Sequence, residues 1–192
     1  MFMMLKNKVA IVTGGTRGIG FAVVKKFIEN GAAVSLWGSR QETVDQALEQ
    51  LKELYPDAKI SGKYPSLKDT AQVTAMINQV KEEFGAVDIL VNNAGLAQGL
   101  DSFEESSIDD METMIDTNVK GLLYVTRTVL PYMLKKNSGH IINLGSTAGI
   151  YAYAKGAVYC ATKAAVKTLS DGIRIDTIAS NIKVTTIQPG IV

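Results

Sequence analysis

Tyr159 and Lys163 stand four residues apart in Tyr159-Cys160-Ala161-Thr162-Lys163, a spacing that puts both side chains on one face of a helix. A free phenol ionises near pH ~10 and is a poor acid or base at neutrality. An ammonium beside it stabilises the phenolate and draws the ionisation toward the working range, so the pair suits proton transfer. Ser146 lies upstream in Asn143-Leu144-Gly145-Ser146-Thr147. A hydroxyl there is able to hydrogen-bond a substrate oxygen and favour an alkoxide developing on it.

A second cluster sits near the start of the chain, in Thr13-Gly14-Gly15-Thr16-Arg17-Gly18-Ile19-Gly20. A glycine-rich turn between a strand and a helix presents backbone N–H groups and the positive end of a helix dipole to a pyrophosphate. In this reading Gly14 makes the tight turn, Gly18 lets the backbone approach the phosphates, and Gly20 allows helix and strand to pack closely. The first two glycines are spaced one residue differently from the common G-x-G-x-x-G form.

The elements that must position these groups follow from hydrophobic periodicity. Strands are expected over Lys8 to Thr13, Ala33 to Trp37, Ala58 to Lys63, Asp88 to Val91, His140 to Leu144 and Lys183 to Ile187. Helices are expected over Ile19 to Asn30, Gln41 to Leu54, Lys68 to Phe84, Ile108 to Lys136 and Ala157 to Ala179. Strands apolar along their length and alternating with helices imply right-handed crossovers and a parallel sheet covered on both faces. The expected fold class is therefore α/β: a doubly wound parallel sheet in a three-layer αβα arrangement, one domain over residues 1–192. Its longest loops, Asn92 to Ser107 and Gly145 to Gly156, follow the carboxyl ends of strands, where open α/β sheets bind ligands.

The TGxxxGxG turn, Asn92-Asn93-Ala94-Gly95 after the fourth strand and Tyr159-x-x-x-Lys163, in this order, resemble the short-chain dehydrogenase/reductase family. The likeness runs from Leu5 to Val192 and implies a Rossmann fold carrying a hydride-transferring oxidoreductase. It implies Tyr159 as proton donor to a carbonyl or acceptor from an alcohol, and Lys163 as partner of both Tyr159 and the nicotinamide ribose. Ser146 would hold the substrate oxygen, and Asn118, in Asp116-Thr117-Asn118-Val119, would support a water linking Lys163 to solvent. The cofactor cradle it implies comprises Gly14, Thr16, Arg17, Gly18, Ile19, Gly20, Asn92, Ala94 and Gly95. Tyr159, Lys163 and the turn at Pro189 and Gly190 complete it.

NAD-preferring relatives end the second strand with an acid that bonds the adenosine ribose. Here Leu36-Trp37-Gly38-Ser39-Arg40 carries no carboxylate before Glu42. An acid would repel a 2′-phosphate, whereas Arg40 pairs with one bidentately, Ser39 donates to it, and Arg17 faces the same region in relatives that prefer NADP(H). NADP(H) is the expected cofactor. One departure is Ser66-Leu67, where the family usually has an acid near the adenine.

The balance of the sequence narrows the partners. Twenty Lys and Arg against nineteen Asp and Glu give no electrostatic reason to expect nucleic acid or an anionic membrane. A single cysteine, Cys160, suits a reducing, cytoplasmic setting, and no apolar stretch reaches membrane-spanning length. Met1 to Lys6 is apolar but too short for a signal segment. Cys160 reads as a packing residue and His140 as structural, and no metal-ligand spacing occurs, so the hydride chemistry is expected to be metal-free. A small-molecule alcohol or carbonyl is the expected substrate. The part up to about Gly95 resembles bacterial bile-acid hydroxysteroid dehydrogenases. From Leu96 onward, Asp116 to Gly121 and Gly145 to Gly149 resemble NADP-dependent enzymes of small 3-hydroxy acids such as serine and allo-threonine. The second part holds the reacting residues and favours a 3-hydroxy acid. A carbonyl reductase acting on steroids or acyl thioesters, and a non-catalytic NADP-binding fragment, are the alternatives. Relatives continue past the Pro189-Gly190 turn into a substrate-covering loop and a seventh strand, so the sheet is expected to lack the family's last strand. A homodimer or homotetramer through the 108–136 and 157–179 helices is also expected.

Overall fold

The computed structural model describes residues 3–190; Met1, Phe2, Ile191 and Val192, and with them the ends of the expected 1–192 domain, lie outside the described residues. Six strands form one parallel sheet: β1 (Val9–Thr13), β2 (Ala33–Trp37), β3 (Ile60–Lys63), β4 (Ile89–Asn92), β5 (Gly139–Leu144) and β6 (Ile182–Ile187). Their order across the sheet is β3-β2-β1-β4-β5-β6. The chain therefore winds outward from β1 in one direction, then returns to pair β4 on its other side. That reversal opens a crevice at the carboxyl ends of β1 and β4, the place where doubly wound sheets take ligands.

The inner strands β1, β2 and β4 are buried almost throughout because both faces are covered, whereas β3 is half-buried and β6 alternates buried with exposed residues. On one face Val24 of α1 (Gly18–Glu29) and Val44, Ala47 and Leu51 of α2 (Gln41–Leu54) pack on Ala10, Val12, Val34 and Leu36. On the other, Val73, Ile77 and Val80 of α3 (Thr70–Phe84) meet Val125, Val129 and Met133 of α5 (Leu122–Lys136) over Ile11, Leu90 and Ile141. Burying these side chains completely contributes about 1.5–3 kcal/mol each.

The expected and observed elements differ in instructive ways. The helix expected over Ile108 to Lys136 is three segments: α4 (Ile108–Ile115), a π-helical turn at Asp116–Gly121 and α5. The backbone stays right-handed through the turn, so the axis continues while one wide turn displaces the side chains. The helix expected from Lys68 starts at Thr70, because Asp69 is extended and its Oδ1 caps the backbone N–H groups of Ala71 and Gln72 at 2.9 and 3.1 Å. The strand expected from Ala58 is shorter, starting at Ile60. The fourth strand is Ile89–Asn92 rather than 88–91; Asp88 just before it still bonds Val9 and His140 through its backbone, while its side chain accepts from the Val9 N–H and pairs with Lys136. The last helix, α6 (Ala157–Asp176), ends three residues before Ala179. The remaining boundaries shift by one residue or none.

Candidate active site

The carboxyl ends of β1 and β4 are laced together before any ligand is considered. Thr13 Oγ1 accepts from the backbone N–H groups of Asn93 and Ala94, both at 3.1 Å. Asn93 Nδ2 donates to the carbonyls of Thr13 and Gly14 at 3.1 and 2.9 Å. The turn between β1 and α1 fits only glycine at three points. Gly14 and Gly18 have φ of +63° and +53°, a region that disfavours side chains, and a Cβ on Gly20 would overlap the Gly14 carbonyl oxygen. Nothing lies within 4 Å of where a Cβ on Gly18 would stand, so that backbone is open to the crevice.

The crevice is a cleft of about 920 Å³, at the large end of the ordinary range of ligand pockets, ~300–1,000 Å³. Gly14 to Gly20 form one wall, save Gly15, and Ser39 and Arg40 at the carboxyl end of β2 form one end. Both Arg17 and Arg40 are exposed, and neither has a carboxylate partner among the described residues. Ala94 and Gly95 line the middle, and Ser146, Tyr159, Lys163, Pro189 and Gly190 line the far end.

The far end is assembled from three elements. Ser146, after β5, caps a short 3₁₀ turn (Thr147–Gly149), with its Oγ accepting from the Ala148 N–H at 3.1 Å. The Pro189-Gly190 turn is stitched to it, since the N–H groups of Gly145 and Thr147 donate to the carbonyls of Ile187 and Pro189 at 2.8 and 3.0 Å. Helix α6 brings Tyr159 and Lys163, with the Lys163 ammonium 5.8 Å from the Tyr159 ring centre. Lys163 is 7% exposed, and burial holds its ammonium below the usual lysine range. Its Nζ donates to the Leu144 carbonyl at 2.9 Å.

Two of the expected site residues do not line the cleft. Asn118, in the π turn, is buried: its Oδ1 accepts from Leu96 N at 2.8 Å, and its Nδ2 donates to Leu96 O at 2.8 Å and Thr162 Oγ1 at 3.0 Å. It thus ties the loop after Gly95 to α6 one residue before Lys163. Asn92 turns into the sheet–helix layer, donating to Thr126 Oγ1 at 2.9 Å and Asn143 Oδ1 at 2.8 Å.

Other groups at the site carry no local sequence signal. Tyr64, Lys68 and Gln72 line the rim of the cleft beyond β3, and Lys68 reaches Asp116 of the π turn at 3.5 Å. A Cβ on Gly149 would stand 2.7 Å from the Lys163 backbone carbonyl, so a glycine lets the Ser146 turn lie directly on α6. Only Asn93 had a signal, as the second residue of the Asn92 to Gly95 run.

A strand–glycine turn–helix unit at a reversal of a parallel sheet, with Ser146, Tyr159 and Lys163 facing the same cleft, defines a Rossmann-fold oxidoreductase. Residues 8–192 match the family model for short chain dehydrogenase, and the chain belongs to that family of dehydrogenases, which act on hydroxyl groups. It is 63% identical over 191 residues, 100% of this chain and 76% of the relative, to a 3alpha-hydroxysteroid dehydrogenase of Mediterraneibacter gnavus. It is 43% identical over 184 residues, 96% of this chain and 72% of the relative, to an NADP-dependent 3-hydroxy acid dehydrogenase of Escherichia coli. A solved closed form of serine dehydrogenase complexed with NADP+ superposes with a TM-score of 0.88 at 44% identity, covering 95% of this chain and 72% of that one. Both resemblances read from the two parts of the sequence thus extend across nearly the whole chain. Among the described residues no helix is long and apolar enough to cross a membrane.

Proposed function

We propose that the chain transfers a hydride between NADP(H) and a CH–OH or C=O substrate, using Ser146, Tyr159, Lys163 and Asn118. The observation that carries this reading is the single cleft with Ser146, Tyr159 and Lys163 at one end and two exposed arginines without carboxylate partners at the other. The glycine turn fits a pyrophosphate, because Gly18 leaves its wall open and the first N–H groups of α1 face the cleft. Arg17, Ser39 and Arg40 fit a 2′-phosphate, which no acid at the end of β2 repels. The relatives named for NADP support the same choice.

Bound there, the reduced cofactor supplies the hydride to the carbonyl carbon. Ser146 donates a hydrogen bond to the substrate oxygen and Tyr159 transfers its phenolic proton to it, so the alcohol forms without a free alkoxide. Lys163 holds the ribose hydroxyls and keeps a positive charge beside the phenolate. Asn118 fixes the backbone next to Lys163 and supports the path by which Tyr159 regains a proton. Oxidation runs through the same groups in reverse.

Different observations support two substrate classes. Exposed Leu100 and Phe103 flank Tyr159, and exposed Ile150, Tyr151 and Tyr153 stand on the loop from Ser146 to Tyr159. An apolar rim of this kind suits a bulky ring system, and the 63% identical relative is named for a hydroxysteroid. A 3-hydroxy acid is the second reading. A side pocket of about 100 Å³ beside Tyr159 admits only a small substituent, and its wall carries Lys155, a cation for a carboxylate, together with Asp101 and Asp110. The helix surfaces of α4, α5 and α6 are proposed as the homo-oligomer interface.

Trp37, the one tryptophan, is buried at the edge of the cleft and is the chosen fluorescence reporter for its occupancy. Titration with NADPH and NADH should quench its fluorescence with preference for NADPH. Arg40→Ala should weaken NADPH by about tenfold or more and leave NADH unchanged. Equal affinity for the two nucleotides in the wild type would overturn the cofactor assignment. Formation of NADPH from NADP+ with a 3α-hydroxysteroid, against 3-hydroxypropionate and serine, then decides the substrate.

A further inference from the structure

Beneath the cleft lies a chain of buried polar side chains that the reaction described above does not use. Asn92 of β4 donates through Nδ2 to Thr126 Oγ1 of α5 at 2.9 Å and to Asn143 Oδ1 of β5 at 2.8 Å. Asn143 in turn donates through Nδ2 to Ser170 Oγ of α6 at 2.8 Å, and Ser170 donates to the Val166 carbonyl at 2.7 Å. Asn143 and Ser170 are 0% exposed, and Asn92 and Thr126 nearly so. One residue from each of four elements takes part.

The polarity of this chain is fixed. Ser170 has one hydroxyl proton and places it on Val166, so it must accept from Asn143. Asn143 must then present its Nδ2 to α6 and its Oδ1 to β4, where Asn92 stands directly opposite it in the β4–β5 ladder. Burying two amides and two hydroxyls gains little stability, since apolar groups of the same shape serve equally well in a core. What the hydrogen bonds add is direction. Apolar contacts between a helix and a sheet tolerate small sliding displacements, and catalytic geometry does not.

Their location makes that direction matter. Asn143 lies on β5, three residues before Ser146, which follows the end of that strand. Ser170 lies seven residues after Lys163, two turns along the same face of α6. Among the described residues α6 is hydrogen-bonded to β5 by side chains at two points: Lys163 to the Leu144 carbonyl, and Ser170 to Asn143. Under the proposed function, on which this inference rests, Lys163 turns its ammonium to a ribose, leaving the second contact to hold the register. We infer that Asn143 and Ser170 are positioning residues: they lock α6 against β5 so that Tyr159 and Lys163 keep their place relative to Ser146.

The test compares wild type with Ser170→Ala, which orphans Asn143 Nδ2, and with Asn143→Leu/Ser170→Ala, which replaces the pair by apolar groups. Four readouts are taken: thermal midpoint, kcat, the pH profile of kcat, and affinity for NADPH relative to adenosine 2′,5′-bisphosphate, which binds only the adenosine end. The double variant orphans one Asn92 Nδ2 proton, as Ser170→Ala orphans one of Asn143, so its midpoint should fall no further than that of Ser170→Ala while kcat drops about tenfold with a displaced pH profile. Both variants should lose about fivefold in NADPH affinity with unchanged bisphosphate affinity, because only the nicotinamide half meets Lys163. Lowered midpoints with intact kcat, pH profile and affinity ratio would overturn the inference and leave a structural network. A wild type that binds NADPH but turns over no alcohol would sink the proposed function instead. The affinity ratio still decides the positioning role in that case: a fall supports it and an unchanged ratio overturns it.

Discussion

The Lys163 ammonium donates to the Leu144 carbonyl at 2.9 Å across the gap between α6 and β5, two residues before Ser146. Burial holds the Lys163 ammonium below the ordinary lysine range. The charged form is thus less favoured in the folded protein than in the unfolded chain. As pH rises toward 10.5, Lys163 loses its proton first in the folded state, so activity that needs the ammonium falls while folding stability from this group rises. kcat/KM should show an alkaline limb below the ordinary lysine range while the urea midpoint holds or increases over the same window. Lys163→Met should abolish turnover and remove that pH-dependent gain in stability. A urea midpoint that drops in step with activity would refute the assignment to Lys163.

Gly20 and Gly18 make different demands, and substitution separates them. A Cβ on Gly20 would overlap the Gly14 carbonyl oxygen and Asn93 Nδ2, so Gly20→Ala must push α1 off the turn. It should cost about 1–3 kcal/mol or more of stability and abolish nucleotide binding. Gly18 has open space around it but a φ of +53°, so Gly18→Ala meets only backbone strain, about 1–2 kcal/mol. Chemical denaturation with Trp37 as reporter measures both. Comparable losses would mean that the turn relaxes freely and that the close approach at Gly20 has no special role.

The six strands and their parallel pairing were legible because burial on both faces writes an apolar run in the inner strands, as in Val9 to Thr13, whereas their order across the sheet was not. The glycine turn was legible because its steric demands are local. The break at Asp116–Gly121 was not, since every residue there keeps a right-handed backbone and nothing in Asp116-Thr117-Asn118-Val119 forbids an ordinary helix. What selects the wide turn is long-range: Asn118 bonded to Leu96 and Thr162, and Gly121 against Leu67. Asn92 illustrates the same limit. A strand-end asparagine can face either layer, and only its partners Thr126 and Asn143 fix which. Gly149 gave no signal at all, because its neighbour Lys163 lies on a different element.

Asn118 joins the π turn, the loop after Gly95 and α6 through three hydrogen bonds. Asn118→Ala leaves the backbone N–H and carbonyl of Leu96 without these partners, at about 1–3 kcal/mol for each group that stays buried. Asn118→Asp keeps the acceptor toward Leu96 N; its neutral carboxyl retains one donor for the two donated bonds, and its ionised form retains none. The order of urea midpoints should be wild type, Asp, Ala at a pH where the new carboxyl is neutral, with the Asp variant falling toward or below Ala as it ionises. An Ala variant as stable as wild type would mean that water replaces Asn118 at no cost.

The apolar rim separates the two substrate readings more sharply than any residue at the reacting centre. Tyr151 is 75% exposed and Phe103 64%, so their truncation removes little from the folded core. A bulky ring system resting on them loses buried area, and each lost aromatic contact raises KM by about tenfold while kcat stays near wild type. A small 3-hydroxy acid held in the side pocket beside Tyr159 meets Phe103, which lines that pocket, but does not reach Tyr151. Tyr151→Ala should therefore depress kcat/KM for a hydroxysteroid and leave that for 3-hydroxypropionate unchanged. Lys155→Ala should do the reverse, because only the small acid brings a carboxylate to that wall of the pocket. If the rim variant leaves hydroxysteroid turnover untouched while Lys155→Ala removes turnover of the acid, the exposed aromatics serve something other than the substrate and the 3-hydroxy acid reading prevails.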